Sequence, residues 1–383
     1  MKKIVVLGCG RVGATIAKDL ARDERLEVTV MDRAQAPLER LSGQGKLKRV
    51  QRDLGSLTEI CAAVQPFDAV VGALPSALGF GALQTMIEAK KPYCDISFMP
   101  EDALLLDELA KKNGMCAVVD CGVAPGLANL AIGHSHRIFE RTESVVIYVG
   151  GLPRARHWPY EYKAPFAPSD VLEEYTRPAR MVENGQIVVK PALTEPERLD
   201  FPRVGTLEAF NTDGLRTLLK TIRATNMKEK TLRYPGHAAL MQALRDTGFF
   251  QKEPVLVDGI RVSPLALTSA LLFRSWAPDP DEVEFTVLRV IVEGTVKGSP
   301  ERHVYELHDE TGHVKQDSSM ARTTGFPCAI VARMLALSEL TVPGVLPPEL
   351  LGEIPGMFGR ISQELVERQI HFTHQIEFVT ACG

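Results

Sequence analysis

The sequence predicts an α/β fold: an N-terminal doubly wound parallel sheet, followed by an α/β unit whose sheet is largely antiparallel or mixed. Three observations carry that reading. Short apolar, often β-branched runs alternate with helical patterns over residues 2–120. A glycine-rich turn lies between the first run and the first helix. After Asp120 the alternation gives way to longer runs in which apolar and polar residues take turns. Strands and helices alternating at such a pitch form βαβ units around a parallel sheet covered on both faces.

In chain order, the strand-like runs fall at 3–7, 27–31, 48–51, 69–73, 92–96 and 117–119. Helical patterns occupy 12–22, 57–64, 78–89 and 101–112; in the last, Leu104, Leu105, Leu109 and Ala110 share a face. Right-handed crossovers bring the carboxyl ends of all these strands to one edge. That edge carries Gly8, Asp32, Asp53, residues 73–75, residues 95–97 and Asp120, so functional residues are expected there. Gly122-Val123-Ala124-Pro125-Gly126 then opens a helix over 127–139, and 144–150 alternates as a strand. The Pro-rich stretch 152–168 reads as an ordered loop anchored by Trp158, Tyr160, Tyr162 and Phe166. Further strands are expected at 186–190, 230–234, 284–292 and 303–308, the third alternating like an antiparallel strand with one covered face. A helix over 329–337, starting after Gly325-Phe326-Pro327, is expected to pack back on the first domain. The tail 343–383 holds a Pro-Pro turn, a helix near 361–368 and a strand near 370–378. These elements divide the chain into a first domain at 1–121, a second at 122–322 and a C-terminal segment at 323–383.

Composition narrows the class. The 383 residues are 45% hydrophobic, 24% charged and 6% aromatic, the make-up of a soluble enzyme of two or three domains. A net charge of −4 offers no attraction to phosphate backbones, which sets aside nucleic-acid and membrane-surface partners. The apolar run at 4–7 breaks at Gly8, and Gly72, Pro75 and Gly79 punctuate the one at 69–83. Neither suits a signal peptide or a spanning helix, so a cytoplasmic address is expected. Seven cysteines (9, 61, 94, 116, 121, 328 and 382) form no C-x-x-C pair and read as buried free thiols in a reducing compartment. Cys116 and Cys121 have no His or second Cys pair at zinc-like spacing, and no metal is expected.

Gly8-Cys9-Gly10-Arg11-Val12-Gly13 has the G-x-G-x-x-G spacing and stands where a strand passes into a helix, the context its mechanism requires. Gly8 permits the tight turn, Gly10 lets a pyrophosphate approach the backbone, and Gly13 lets helix and strand pack closely. With Arg11 and Val12 they present the phosphates to the positive end of the helix. Asp32 ends the second strand and is placed to accept from ribose hydroxyls. Its charge repels a 2′-phosphate and favours NAD over NADP; Arg33 beside it weakens that preference without reversing it. The domain is thus read as a Rossmann domain that binds NAD. Asp53 either caps the next helix or contacts adenine. Ala73-Leu74-Pro75 form either a plain loop or part of the contact with the nicotinamide ribose.

From here the motifs become specific. Asp120-x-Gly-Val-Ala-Pro-Gly-x-x-Asn129, Gly150-Gly151-Leu152-Pro153, Leu207–Gly214 (Leu-Glu-Ala-Phe-Asn-Thr-Asp-Gly) and Thr231-Leu232-Arg233-Tyr234-x-Gly236-His237 follow the Rossmann start in order. Ala321-Arg322-Thr323-Thr324-Gly325 and Gly344-Val345-Leu346-Pro347-Pro348-Glu349 come later. Together they resemble the saccharopine dehydrogenase family over nearly the whole chain, and within it the lysine 6-dehydrogenase pattern. The resemblance implies a Rossmann domain plus an α/β substrate domain, and NAD-dependent oxidation of the ε-amino carbon of L-lysine with release of ammonia. Saccharopine-forming members have Asp-Pro-Gly where this chain has Ala124-Pro125-Gly126. The lost carboxylate changes which amine or amino acid the pocket accepts.

Amine dehydrogenation needs a held amine carbon, a proton acceptor and access for water. Asp120, at the end of the last strand, is a candidate base or ammonium anchor, or a turn residue. Asp213 in Asn211-Thr212-Asp213-Gly214 is a second catalytic candidate, with a tight turn as the competing explanation. His237 suits proton transfer by its titration range. Arg233 either binds a substrate carboxylate or serves as a buried scaffold cation. Ala124, Pro125, Gly126, Asn129, Asn211 and Thr212 complete the expected substrate contacts. Tyr160 and Tyr162 either close the pocket or anchor their loop; His371 and His374 read as a strand edge. The first expectation is an NAD-dependent amino-acid dehydrogenase working as a homo-oligomer. The second is a saccharopine or opine-type dehydrogenase, for which Arg154, Arg156, Arg177 and Arg216 supply cations. The third is a dinucleotide-sensing regulatory protein.

Overall fold

The computed structural model describes residues 1–43, 45–165, 168–279, 281–311 and 317–378, with Phe166 and Cys382 outside that set. The chain forms two compact units. The first comprises Met1–Ile138, Arg216–Ile222 and Ala321–Phe372; the second comprises Phe139–Leu215, Arg223–Met320 and Thr373–Gly383. These limits differ from the cuts after 121 and 322 expected from the sequence. Helix Leu127–Ile138 belongs with the first unit because it packs tightly on Pro348–Glu353. A Cβ on Gly133 would lie 1.8 Å from Glu349 O, and one on Gly352 would lie 2.2 Å from Leu130 O. Only glycine permits backbones to meet so closely.

The strands of the first unit are β1 (Lys2–Leu7), β2 (Leu26–Asp32), β3 (Lys48–Gln51), β4 (Ala69–Gly72), β5 (Tyr93–Asp95) and β6 (Cys116–Val118), with Gly344–Leu346 added late in the chain. They run in the order Gly344–Leu346, β6, β5, β4, β1, β2, β3, every pair parallel. Ile4, Val5, Val6 and Leu7 are all buried, as a strand covered on both faces requires. The order reverses at β1, whose neighbours are β2 and β4, and Gly8 follows β1 at that switch point, where ligands bind in such sheets.

In this unit one strand went unread and one expectation fails. The strand Gly344–Leu346 escaped the sequence reading because three residues before a proline show no period; Val345 N donates to Asp107 Oδ1 at 2.9 Å and fixes it. The late helix spans Ser319–Ala336 and runs through Pro327 instead of starting after it. One lost donor is outweighed by burial of Phe326, Cys328, Ala329 and Ile330, with Gly325 set against Thr15 of helix α1 (Arg11–Leu20).

In the second unit a mixed sheet runs Glu197–Phe201, Gly205–Asn211, Ala224–Arg233, Arg141–Pro153, Glu284–Val296, Ser299–Glu310, Phe372–Phe378. Ala224–Arg233 and Arg141–Pro153 pair in parallel, whereas Gly205–Asn211 pairs antiparallel with Glu197–Phe201 and Ala224–Arg233, and Glu284–Val296 with Arg141–Pro153 and Ser299–Glu310. The alternating run expected at 284–292 extends to Val296 and returns through Lys297-Gly298, both at positive φ. That is the hairpin geometry a right-twisted ribbon prefers. Helices Pro168–Thr176, His237–Thr247 and Pro264–Trp276, absent from the sequence reading, surround a core of Tyr175, Phe210, Met241 and Trp276. Among the described residues no helix is long and apolar enough to cross a membrane.

Candidate functional site

The glycine turn separates its three glycines by purpose. A Cβ on Gly8 would lie 2.2 Å from Ala73 O, and one on Gly13 would lie 2.2 Å from Gly8 O, so those two are demanded by the turn itself. A Cβ on Gly10 would meet no protein atom within 4 Å. Gly10 is exposed and caps α1 with no side-chain acceptor and no acidic residue in the first turn. That leaves open space over the first turn of α1, whose leading N–H groups suit an anion. Those features fit a dinucleotide pyrophosphate. Asp32 Oδ2 accepts from Cys9 N at 2.7 Å and Oδ1 from Ala34 N at 2.8 Å. The carboxylate thus pins the turn and keeps lone pairs for ribose hydroxyls. Arg11 and Arg33 are exposed, and Val12 is half-buried. Asp53 does not cap the next helix: its Oδ1 accepts from Gly55 N at 2.9 Å, and Ser56 is the cap. Ala73 N donates to Leu7 O, Leu74 is half-buried, and Pro75 begins helix Ser76–Glu88.

Asp95 ends β5, and Asp120 stands two residues beyond β6. Asp95 is buried and accepts from Tyr93 Oη at 3.0 Å and Ser97 Oγ at 2.5 Å. Burial pushes its pKa up to about 7, against the two hydrogen bonds and with Asp120 nearby. Gly72 exists for this group, since a Cβ there would fall 1.9 Å from Tyr93 Oη. Asp120 sits at φ 54 and is buried. Arg216 Nε donates to its Oδ2 at 2.8 Å, while its buried Oδ1 has no partner among the described residues. Arg216 also donates to Met99 O at 2.6 Å and lies 4.6 Å from the Phe98 ring centre. The loop beyond Asp120 closes through Gly122 N to Pro125 O at 3.1 Å, with Ala124 and Pro125 half-buried. A Cβ on Gly126 would strike Gly122 O at 1.9 Å. Asn129 is not available to a substrate: its Oδ1 accepts from Gly126 N and its Nδ2 donates to Glu349 Oε2. Thr221 Oγ1 holds the other Glu349 oxygen at 2.7 Å.

In the second unit three expected site residues prove to be structural. Asp213 is gripped by Arg180, Nε to Oδ1 and Nη2 to Oδ2 both at 2.9 Å, which leaves it no base role. His237 is buried, with Nδ1 2.7 Å from Tyr160 O and Nε2 2.9 Å from Tyr175 Oη. Both ring nitrogens are spent, and burial beside Arg233 lowers its pKa to about 3, so it stays neutral instead of transferring protons. Arg233 is the buried scaffold cation, paired with Glu174 at 2.5 Å and stacked 4.6 Å from the Tyr162 ring centre. Tyr162 therefore anchors its loop; Tyr160 does so by packing on Trp276. Thr212 Oγ1 donates to Glu229 Oε2 at 2.9 Å and touches Thr231 Oγ1. Asn211 Nδ2 donates to Thr194, and its buried Oδ1 is unpartnered among the described residues. His374 stacks on Tyr305 at 4.2 Å. Among the described residues no cluster could hold a metal.

Sequence reasoning placed Asp95 on the functional edge, Arg216 among candidate cations and Glu349 in a family motif, but not their partners, and it missed Glu229. The Gly72 and Gly214 close approaches were the available signal, because each glycine makes room for a buried carboxylate.

A parallel sheet with a glycine-turn cradle at its switch point, a carboxylate after β2 and a following mixed sheet is the layout of two-unit, dinucleotide-binding dehydrogenases. Comparison with known proteins narrows it. Residues 4–118 match the saccharopine dehydrogenase NADP binding domain and residues 122–370 the saccharopine dehydrogenase C-terminal domain. The chain belongs to the saccharopine dehydrogenase family. It is 22% identical to the mitochondrial alpha-aminoadipic semialdehyde synthase of Mus musculus, over 92% of this chain and 46% of that one, so it spans less than half that relative's length. It is 25% identical to saccharopine dehydrogenase [NADP(+), L-glutamate-forming] of Pyricularia oryzae, over 77% of this chain and 68% of that one. The apo saccharopine dehydrogenase (L-Glu forming) structure from Saccharomyces cerevisiae shares the fold at TM-score 0.80 and 20% identity, covering 98% of this chain and 100% of that one.

Proposed function

We propose that this chain is an NAD-dependent oxidoreductase acting on the C–N bond of an amino acid, and that its reaction is oxidative deamination of L-lysine at the ε-carbon. The observation that carries the proposal is Asp120: a buried carboxylate with one oxygen held by Arg216 and the other without a donor among the described residues. An orphaned anionic oxygen is costly. A substrate ammonium supplies the missing charge and hydrogen bond. Bound with its pyrophosphate at Gly8–Gly13 and a ribose at Asp32, the nicotinamide supplies the hydride acceptor. Asp120 anchors the amine, and Arg216 keeps Asp120 oriented.

NADP is the cofactor named for the matching domain and for the Pyricularia oryzae relative. Asp32 supports NAD in this chain, because its charge opposes a 2′-phosphate. NADH is expected to bind at least about tenfold tighter than NADPH, and Asp32→Ala to erase the difference; unchanged discrimination removes the ribose role. A saccharopine-type reaction remains the second reading, supported by the relatives' names. Of its four candidate cations Arg216 pairs with Asp120, Arg177 with Glu173 and Arg154 with Glu310, while Arg156 stacks on Tyr234. The deciding assay is NAD reduction at alkaline pH with L-lysine, saccharopine and diamines, scored for ammonia. NADH with ammonia from L-lysine supports the proposal, and NADH without ammonia from saccharopine supports the second reading. Tight dinucleotide binding with no reduction by any of them points to a sensing protein and defeats both.

A further inference from the structure

Glu349 lies in the short helix Pro348–Glu353 and is completely buried, in the same unit as Asp120 and Arg216. A buried acid costs free energy that an apolar residue of similar volume would avoid. The backbone behind it is fixed, because Gly133 brings helix Leu127–Ile138 directly onto Glu349 O. Its two oxygens reach both sides of the Asp120 pair. Oε2 accepts from Asn129 Nδ2 at 3.0 Å, and Asn129 Oδ1 accepts in turn from Gly126 N at 3.2 Å, at the end of the turn beyond Asp120. Oε1 lies 2.7 Å from Thr221 Oγ1, in the helix Leu218–Thr221 that begins two residues after Arg216. Thr221 Oγ1 is also 3.0 Å from Thr217 O. An ionised Glu349 accepts the hydroxyl proton; a neutral Glu349 donates its own to Thr221, which then donates to Thr217 O. The tie is made in either state.

We propose that Glu349 is a positioning residue: by holding Thr221 and Asn129 at once, it fixes Arg216 on a single oxygen of Asp120 and sets the following turn against that pair. Arg216 needs such a tie. It stands at φ 49 and Asp120 at φ 54, a left-handed region that non-glycine residues occupy only where their surroundings hold them. Between Arg216 and Thr221, Leu218 is buried and Lys220 pairs with Asp102, so the segment is clamped along its length. An unrestrained arginine prefers the forked grip on both oxygens of a carboxylate. Held with Nε on Oδ2 and Nη1 on Met99 O, Arg216 does not swing to claim Oδ1. Glu349 thereby preserves the oxygen that receives an ammonium. This bearing on catalysis rests on the reading of Asp120 as the amine anchor, whereas the restraint on Arg216 exists without substrate.

Nuclear magnetic resonance of the full chain labelled with 15N-arginine reads that restraint without substrate. The Arg216 Nε–H signal is identified by its loss in Arg216→Lys. In Thr221→Val it is expected to exchange with water about tenfold faster, the worth of one hydrogen bond. Glu349→Met, which cuts both ties, should do the same; where it does not fold, Thr221→Val carries the test. Thr221→Ser keeps the hydroxyl, and the Glu349→Gln amide can make both hydrogen bonds, so both should hold the wild-type rate. Arg368, whose Nε donates to Asp19 at 2.9 Å in the same unit, should keep its rate in every variant. Unchanged Arg216 exchange in Thr221→Val overturns the proposal. So does equal acceleration at Arg216 and Arg368, which marks general loosening, or a Thr221→Ser variant as fast as Thr221→Val. These rates decide the positioning role. The KM for L-lysine, expected about tenfold higher in Thr221→Val, separately decides the reading of Asp120.

Discussion

Glu229 offers the sharpest test of the second unit's packing. It lies buried in strand Ala224–Arg233, accepts from Thr212, and has Glu174 and Asp213 as acidic neighbours; burial, its largest cause, pushes its pKa up to about 8 from 4.5. Between those values the folded chain holds a proton that the unfolded chain has released. The folded state therefore binds more protons, and its stability falls as pH rises from 4.5 through 8. Holding the acid neutral costs about 3 kcal/mol at pH 7 and levels off near about 5 kcal/mol above pH 8. Glu229→Gln keeps the shape and the Thr212 hydrogen bond but has no proton to lose. Relative to wild type it should gain about 3 kcal/mol at pH 7 and almost nothing near pH 4.5. Urea unfolding followed by tryptophan fluorescence reads this unit directly, because Trp158 and Trp276, the chain's two tryptophans, both lie in it. A stability difference that does not change between pH 5 and 8.5 would refute the reasoning.

Gly10→Ala and Gly13→Ala should separate ligand space from fold space. The first, meeting no protein atom, keeps the melting temperature and loses NADH affinity by about tenfold or more; the second, 2.2 Å from Gly8 O, lowers both. Equal losses of melting temperature would end the distinction. Asp213→Asn should cost about 1 kcal/mol, discounted because Arg180 is nearly half exposed, and leave the pH profile of kcat/KM unchanged in shape. A lost basic or acidic limb would restore Asp213 as a catalytic group. His237, neutral down to about pH 3, makes unfolding easier as pH falls below 6.5, where the unfolded chain takes up the proton. His237→Asn should flatten that slope in urea titrations, and a steeper slope would contradict it.

What was legible in the sequence was local. Alternating apolar runs and glycine spacing determined β1–β6, the dinucleotide turn and Asp32, because strand period, turn sterics and helix polarity act within a few dozen residues. The ordered motifs determined the family. Tertiary structure decided which polar residues are free. Asp213, His237, Arg233 and Asn129 all looked like chemistry, yet each is consumed by a partner distant in sequence: Arg180, Tyr175, Glu174 and Glu349. Among the described residues Asp120 kept one oxygen unclaimed, because Arg216, from an excursion 96 positions away, takes only the other. No periodicity encodes such pairings. A buried polar group's availability depends on which distant donors the fold brings to it, and the chain settles that only when it closes.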